Sequence, residues 1–276
     1  MEVVKISYNV KIYDLGNGEK HLCFFPNYII SGGTNYNDYE TNIKKSLADL
    51  QKYNKSSSCS TSSYSDLTQE QKDFNNKFRS VRRAKDSIYK LALCNSWEYF
   101  CTFTFSTFNF RYDYDICIKR FRKWINNIKT KYCPDLKYLF IVEPHKDGAY
   151  HLHGLISGIG TLPLRKKKNW GIYERYVVEC YNFGRNEISP VLDSCRISNY
   201  ITKYITKELF FKGCNKHNYF CSRNLKHPEV RTYDIENLNI DQFYINNFAG
   251  RYQIEHIYNG KNDTVYLSLK EKTDPE

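Results

Sequence analysis

Two short apolar runs, Tyr138 to Val142 and Tyr150 to Ser157, flank the segment His145-Lys146-Asp147-Gly148, and no other stretch of the chain restricts the fold as much. Runs rich in β-branched and aromatic residues on either side of an Asp-Gly turn predict an antiparallel hairpin. A hairpin alone is marginal in water, so further elements must cover it. The neighbouring sequence supplies them. Trp97 to Phe105 is dense in aromatic residues and threonine, which predicts a buried strand. Tyr114 to Lys131 carries Ile118, Phe121, Ile125 and Ile128 at helical spacing, with Asp113 as a cap. Upstream, Phe74, Phe78, Val81, Ile88, Leu91 and Ala92 lie near one face of a helix that begins after Ser65, while Arg79, Arg82, Arg83 and Lys85 lie largely elsewhere. Downstream, Ile197, Ile201, Ile205 and Leu209 define a further amphipathic helix with Ser194 or Ser198 near its cap.

The remainder of the chain sorts by composition. Val3 to Ile30 alternates through Ile6, Tyr8, Val10 and Ile12, turns at Gly16-Asn17-Gly18 and continues as Leu22 to Phe25, a second hairpin pattern. The serine-rich stretch around Lys55 to Ser63 cannot bury enough surface to offset its ordering. The organisation expected is a β-hairpin over 1–31, a flexible linker over 32–64, a main α+β domain over 65–270 and a tail over 271–276. Gly158, Gly160, Pro163 and the run Arg165 to Lys168 predict a loop, Tyr176 to Cys180 a strand, and the residues after Pro228 strands near 252–258 and 264–269.

With 41 Lys and Arg against 30 Asp and Glu, 25 Tyr and 17 Phe, the composition suits a polyanion carrying flat bases. No segment approaches the roughly 18 apolar residues of a membrane span, and the N-terminus has no signal-peptide pattern. A cytoplasmic protein is expected. Ten cysteines never form a C-x-x-C pair, so reduced, buried thiols are expected rather than zinc.

Residues i and i+2 of a strand share a face, so His151 and His153 present two imidazoles to one point. Taken alone, an H-x-H strand is more often structural. Glu143 changes the argument. A two-residue turn at Asp147-Gly148 would set Glu143 opposite Leu152, on the wrong face; a three-residue loop over Lys146 to Gly148 would set it opposite His151. The second register is expected. Two histidines and one carboxylate leave coordination positions open, as a metal that polarises a substrate oxygen requires. Further on, Tyr200 and Tyr204 stand four apart on one helix face, flanked by Lys203 and Lys207. A phenol has a pKa of about 10 and needs a nearby positive charge to attack a phosphodiester at neutral pH. The basic residues Arg120, Arg122 and Lys123, together with Lys166, Lys167 and Lys168, are the candidates for phosphate contacts.

The order of these motifs resembles the rolling-circle replication initiators of the HUH endonuclease superfamily, particularly the two-tyrosine type of small single-stranded DNA phages and related plasmid or prophage elements. Thr102-Phe103-Thr104-Phe105 is similar to the family's first motif, His151 and His153 to its H-x-H, Glu143 to its acidic ligand, and Tyr200, Lys203, Tyr204 and Lys207 to its tyrosine helix. Ser222 to Pro228 is similar to a later S-x-G-L-x-x-P segment, with Asn224 in place of glycine, another residue that tolerates a left-handed backbone. The resemblance spans roughly residues 80 to 210. It implies a central antiparallel sheet flanked by helices, and nicking and joining of single-stranded origin DNA through a 5′-phosphotyrosine. It further implies Mg2+ or Mn2+ held by Glu143, His151 and His153. The chain lacks G-x-x-x-x-G-K-[ST], so a host helicase must separate strands and a host DNA polymerase extend the primer. A conjugative relaxase or transposase of the same superfamily, or a nonenzymatic DNA-binding regulator, are the alternatives.

Overall fold

The computed structural model describes residues 6–31, 68–106, 109–205, 219–260 and 263–273, and the chain divides into two units: one spans 69–227, the other combines the segments before and after it. Strands β1 (Ile6–Asp14) and β2 (Glu19–Ser31) form the hairpin that the alternation predicts, turning where Gly16 and Gly18 take left-handed φ values of 71° and 83°. The expected linker at 32–64 and the Ser65 helix start lie outside the described residues.

In the larger unit, α1 (Gln69–Leu93) buries Val81, Ile88, Leu91 and Ala92; the side chains of Phe74 and Phe78 lie outside the described ones. Strand β3 (Tyr99–Thr104) follows, then α2 (Tyr114–Lys131), whose N-cap Asp113 accepts a 3.0 Å hydrogen bond from the Ile116 N–H. Next come β4 (Lys137–Pro144), β5 (Tyr150–Ser157), β6 (Leu164–Trp170), β7 (Tyr173–Val178), β8 (Asn186–Pro190), α3 (Ser194–Ile201) and β9 (Tyr219–Cys221). The strands make one antiparallel sheet in the order β6-β7-β8-β3-β5-β4-β9, so β3 and β5 are central. Side-chain alternation divides its core. Phe103, Phe140, Val142, Leu152 and Ile156 pack with Phe121, Trp124, Ile125 and Ile128 of α2 on one face. Phe100, Leu139, Ile141 and Leu155 pack with α1 and with Ile201 and Ile205 on the other. The α+β sheet-and-helix architecture expected from the sequence is present.

Four expectations are corrected. Arg165 to Lys168 is strand rather than loop, because β6 pairs with β7 across a turn at left-handed Gly171. The tyrosine helix is shorter than its periodicity suggests: Asp193, not a serine, caps α3, and after Ile201 the chain tightens to a 3-10 turn over Thr202–Tyr204 before Ile205 turns extended. Leu209 and Lys207 lie outside the described residues. Asn224 has no left-handed backbone; instead Ser222 exchanges bonds with Tyr138 (2.9 and 3.1 Å) and buried Leu225 helps close the sheet beside β4. Lastly, the residues after Pro228, expected within the 65–270 domain, leave that sheet. Strands β10 (Glu229–Tyr233), β11 (Tyr252–Asn259) and β12 (Val265–Glu271) join β1 and β2 in the order β10-β1-β2-β12-β11. Helix α4 (Ile240–Asn247) contributes Phe243 and Tyr244 to that unit's core around Leu22, Phe24 and Leu269. The N-terminal hairpin is therefore completed by the C-terminal segment, which also absorbs Glu271 of the expected tail.

Gly154, directly after the second histidine, sits beneath the Phe140 ring: a Cβ there would lie 2.1 Å from a Phe140 ring carbon and 2.9 Å from the Leu139 carbonyl oxygen. Gly154→Ala should therefore cost about 1–3 kcal/mol through overpacking, which a thermal melt would read as a fall in Tm of roughly 2–10 °C; an unchanged Tm would show that Phe140 yields freely.

Candidate active site

The β4–β5 loop sets the site. His145 N–H donates to the Ala149 carbonyl at 2.7 Å and Gly148 N–H to the His145 carbonyl at 2.9 Å, with Gly148 at φ 90°. Lys146 to Gly148 therefore form a three-residue loop, and Glu143 pairs with His151. Asp147 holds the loop closed by accepting from the Ala149 N–H at 2.9 Å, a bond that lowers its carboxyl pKa. Glu143, His151 and His153 consequently share a face, the one that α1 and α3 cover.

His153 is the hub of this face. Its Nε2 lies 2.9 Å from Glu143 Oε2 and its Nδ1 lies 3.2 Å from Thr102 Oγ1. Its ring stacks on Tyr204, with centroids 3.6 Å apart and planes 14° apart. Tyr204 in turn donates its hydroxyl to that of Tyr200 at 2.7 Å. The 3-10 turn has thus kept both phenols together although the α-helix ends before Tyr204. Phe100 fills the space behind, edge-on to Tyr200 and stacked toward Tyr204. Lys203 places its ammonium 4.9 Å from the Tyr200 ring centroid, a cation–π contact. Burial, then the bond to Tyr200 and the Glu143 charge, raises the Tyr204 pKa, so in this arrangement its phenol keeps its proton at neutral pH.

His151 occupies a different setting. Its Nδ1 lies 3.3 Å from Thr104 Oγ1, its ring stacks against His145 at 4.9 Å, and Nε2 has no hydrogen-bond partner among the described residues. Burial, then the nearby His145 and His153, lowers its pKa and favours the neutral imidazole. Sequence reasoning does not single out Thr102, Thr104 or His145 for chemistry. The signal exists for the threonines: T-x-T has the same i, i+2 spacing as H-x-H, and in the antiparallel register Thr102 pairs with His153 and Thr104 with His151.

The donor chemistry suits a divalent ion, since two imidazoles with oriented Nδ1 atoms and a carboxylate form a mixed nitrogen–oxygen set. Only Glu143 and His153 are in direct contact, however. Among the described residues, no three His, Cys, Asp or Glu side chains are gathered closely enough to hold a metal.

The basic candidates scatter. Arg120, Arg122 and Lys123 project from α2, which packs on the opposite face of the sheet from the histidines; Arg120 and Arg122 lie over the rings of Phe110 and Phe220. The Arg165 to Lys167 run, unbalanced in sequence, meets acids in space. Arg165 pairs with Glu179 at 3.4 Å, Lys166 with Glu174, and Lys167 with Glu187 at 3.2 Å. Only Lys167 of the run lines the groove of about 820 Å³ that leads to Tyr200 and Tyr204. Lys168 offers its carbonyl to Arg175.

Residues 98–209, under half of the chain, match the Replication-associated protein ORF2 family. That span contains β3, Glu143, both histidines and both tyrosines, and the match supports a replication initiator protein, a role that entails contact with DNA. No curated protein and no solved structure matches the chain. Among the described residues no helix is long and apolar enough to cross a membrane.

Because an ionised carboxylate can only accept, Glu143 requires the proton of neutral His153 on Nε2, leaving Nδ1 to accept from the Thr102 hydroxyl. Imidazole 1H–15N correlation spectra of the protein without added metal should accordingly show His153 as the Nε2–H tautomer. A dominant Nδ1–H tautomer would mean that Glu143 turns away from His153 in solution.

Proposed function

We propose that this chain initiates rolling-circle replication by nicking and rejoining single-stranded origin DNA through a tyrosine. The observation that carries the reading is the placement of His153 between Glu143, 2.9 Å from its Nε2, and the face of Tyr204 at 3.6 Å. A DNA-binding regulator has no use for a carboxylate, two imidazoles and two phenols on one sheet face. The paired Tyr200 and Tyr204 favour an initiator over a relaxase or transposase that uses a single tyrosine.

Glu143, His151 and His153 would hold Mg2+ or Mn2+. When bound, such an ion supplies positive charge to the scissile phosphate oxygens and offsets the Glu143 charge. The chain's own residues do the rest. Thr102 and Thr104 fix the imidazoles through Nδ1; a hydroxyl can donate or accept, so they support either tautomer. Phe100 and the His153 ring orient the Tyr204 phenol by stacking. Its oxygen attacks phosphorus, the bond to the 3′ oxygen breaks, and the products are a 5′-phosphotyrosine and a free 3′-OH for a polymerase to extend. Tyr200, within hydrogen-bond distance of Tyr204, then attacks at the regenerated origin and releases the first end, so a single site serves initiation and termination. Lys203 attends Tyr200; Lys207 is proposed to flank the same pair. With no nucleotide-binding loop, strand separation is left to a host helicase.

Tyr204→Phe should abolish covalent protein–DNA adducts on an origin oligonucleotide, whereas Tyr200→Phe should form them and lose strand transfer. Adducts in the double variant would exclude both residues. His151→Ala/His153→Ala should reduce nicking at least 100-fold, in keeping with the loss of a metal's charge stabilisation, while leaving most oligonucleotide affinity. Nicking by that variant at the wild-type rate in Mg2+ or Mn2+ would remove the metal assignment.

A further inference from the structure

The groove beside Tyr200 and Tyr204 has a far wall that the nicking chemistry does not use. It runs from Phe100, Thr102 and Thr104 across β8 to the β6–β7 hairpin, where Trp170, Tyr173 and Arg175 line it. Trp170 is 75% exposed and Tyr173 49% exposed. An exposed indole and phenol side by side on a hairpin of two short strands bring that hairpin no packing.

A bulge puts the indole there. Lys167 pairs with Arg175 and Trp170 with Tyr173, so β6 carries two residues, Lys168 and Asn169, against the single Glu174 of β7. Side chains alternate along a regular strand, and Trp170, three residues on from groove-lining Lys167, would fall on the opposite face. The extra residue reverses that parity and returns Trp170 to the groove side, facing Tyr173. Arg175 fixes the bulge: its guanidinium donates to the Lys168 carbonyl at 3.0 and 3.2 Å and to Glu187 at 3.1 Å.

Charge selects the occupant. The groove is lined by Lys167, Arg175, Arg185 and Arg196 against Glu187 and Asp193. Glu187 is shared by Lys167 and Arg175, and Asp193 caps α3. Arg185 and Arg196 are exposed and have no side-chain partner among the described residues. Two flat rings and two unpaired guanidinium groups in one trough match unpaired bases on a phosphate backbone, and a paired duplex offers no free base faces to stack.

We propose that the β6–β7 hairpin is a base-stacking platform that holds single-stranded DNA in the groove, with bases on Trp170 and Tyr173 and phosphates at Arg185 and Arg196, and feeds it to the tyrosine pair. The proposal rests on the nicking function proposed above for its destination, and the test separates the two. Trp97 and Trp124 are 6% and 8% exposed, so of the three tryptophans Trp170 is the fluorescence reporter open to solvent. The measurement is equilibrium binding of a nonhydrolysable single-stranded oligonucleotide to the full chain in a metal chelator, read by fluorescence anisotropy and tryptophan quenching.

Quenching on binding, roughly ten-fold weaker affinity for Trp170→Ala and for Tyr173→Ala, and near-wild-type affinity for Trp170→Phe are the results expected. Arg185→Ala/Arg196→Ala should flatten the dependence of log affinity on log salt by a slope of about 1–2. Unquenched binding with unchanged affinity in Trp170→Ala and Tyr173→Ala would overturn the platform, as would equal affinity and quenching with the matching duplex. None of these readouts requires cleavage. Absence of tyrosine adducts with the platform intact would instead count against the nicking reading alone.

Discussion

Strand parity is the constraint on which the arrangement of the site depends. The loop over Lys146 to Gly148 counts three residues, and that number places Glu143 across from His151 rather than Leu152. One residue fewer would turn the carboxylate into the core beside Phe140 and Val142, where an unpaired charge is untenable. The same parity aligns β3, so that its two threonines meet the two histidines while Phe103 enters the aromatic core under α2. Gly154 extends the argument to packing: it leaves room for Phe140 on one face immediately after the strand has delivered His153 to the other. Apolar burial and site geometry are therefore set by a single alternation, and neither can be altered without the other.

The tyrosines reach this face by a less regular route. Their four-residue spacing would stack them on an α-helix, yet the helix stops at Ile201, and Tyr204 stands on a 3-10 turn. What keeps the phenols together is their tertiary surroundings, namely Ile201 and Ile205 buried on either side of the turn, Phe100 between the rings, and the stacking of Tyr204 on His153. A tyrosine held by stacking and one hydrogen bond is positioned without being ionised. Its raised pKa matches a nucleophile that acts only once positive charge and substrate have entered the site.

Legibility from sequence followed the range of the interaction. The hairpins, the Asp113 cap and the face shared by Glu143 and the histidines are local consequences of alternation, turn chemistry and capping, and they could be read directly. Pairings between distant segments could not. Nothing in the residues after Pro228 announces that β10 and β12 complete the N-terminal hairpin across the whole central unit, because short alternating runs fit any edge of suitable polarity. The Arg165 to Lys168 run read as a loop because charge dominated it, whereas its acidic partners Glu174, Glu179 and Glu187 arrive on β7 and β8. The basic face of α2 was legible as a helix face, but not the side of the sheet on which it would lie.

Bulge and loop answer the same problem in opposite senses. At the β4–β5 loop, correct counting keeps three polar side chains on one face of regular strands. At β6, an extra residue breaks the count, and the penalty of an interrupted ladder is offset by the Arg175 bonds to Lys168 and Glu187. Arg175 could not hold both if Glu187 faced the α2 side of the sheet. It faces the groove because β8 pairs Glu187 with Thr102, the residue that also orients His153. The proposed DNA platform and the proposed nicking centre are thus joined through the β3–β8 register, so a shift of β8 by one residue would dismantle the groove while leaving Glu143, His151 and His153 on their shared face.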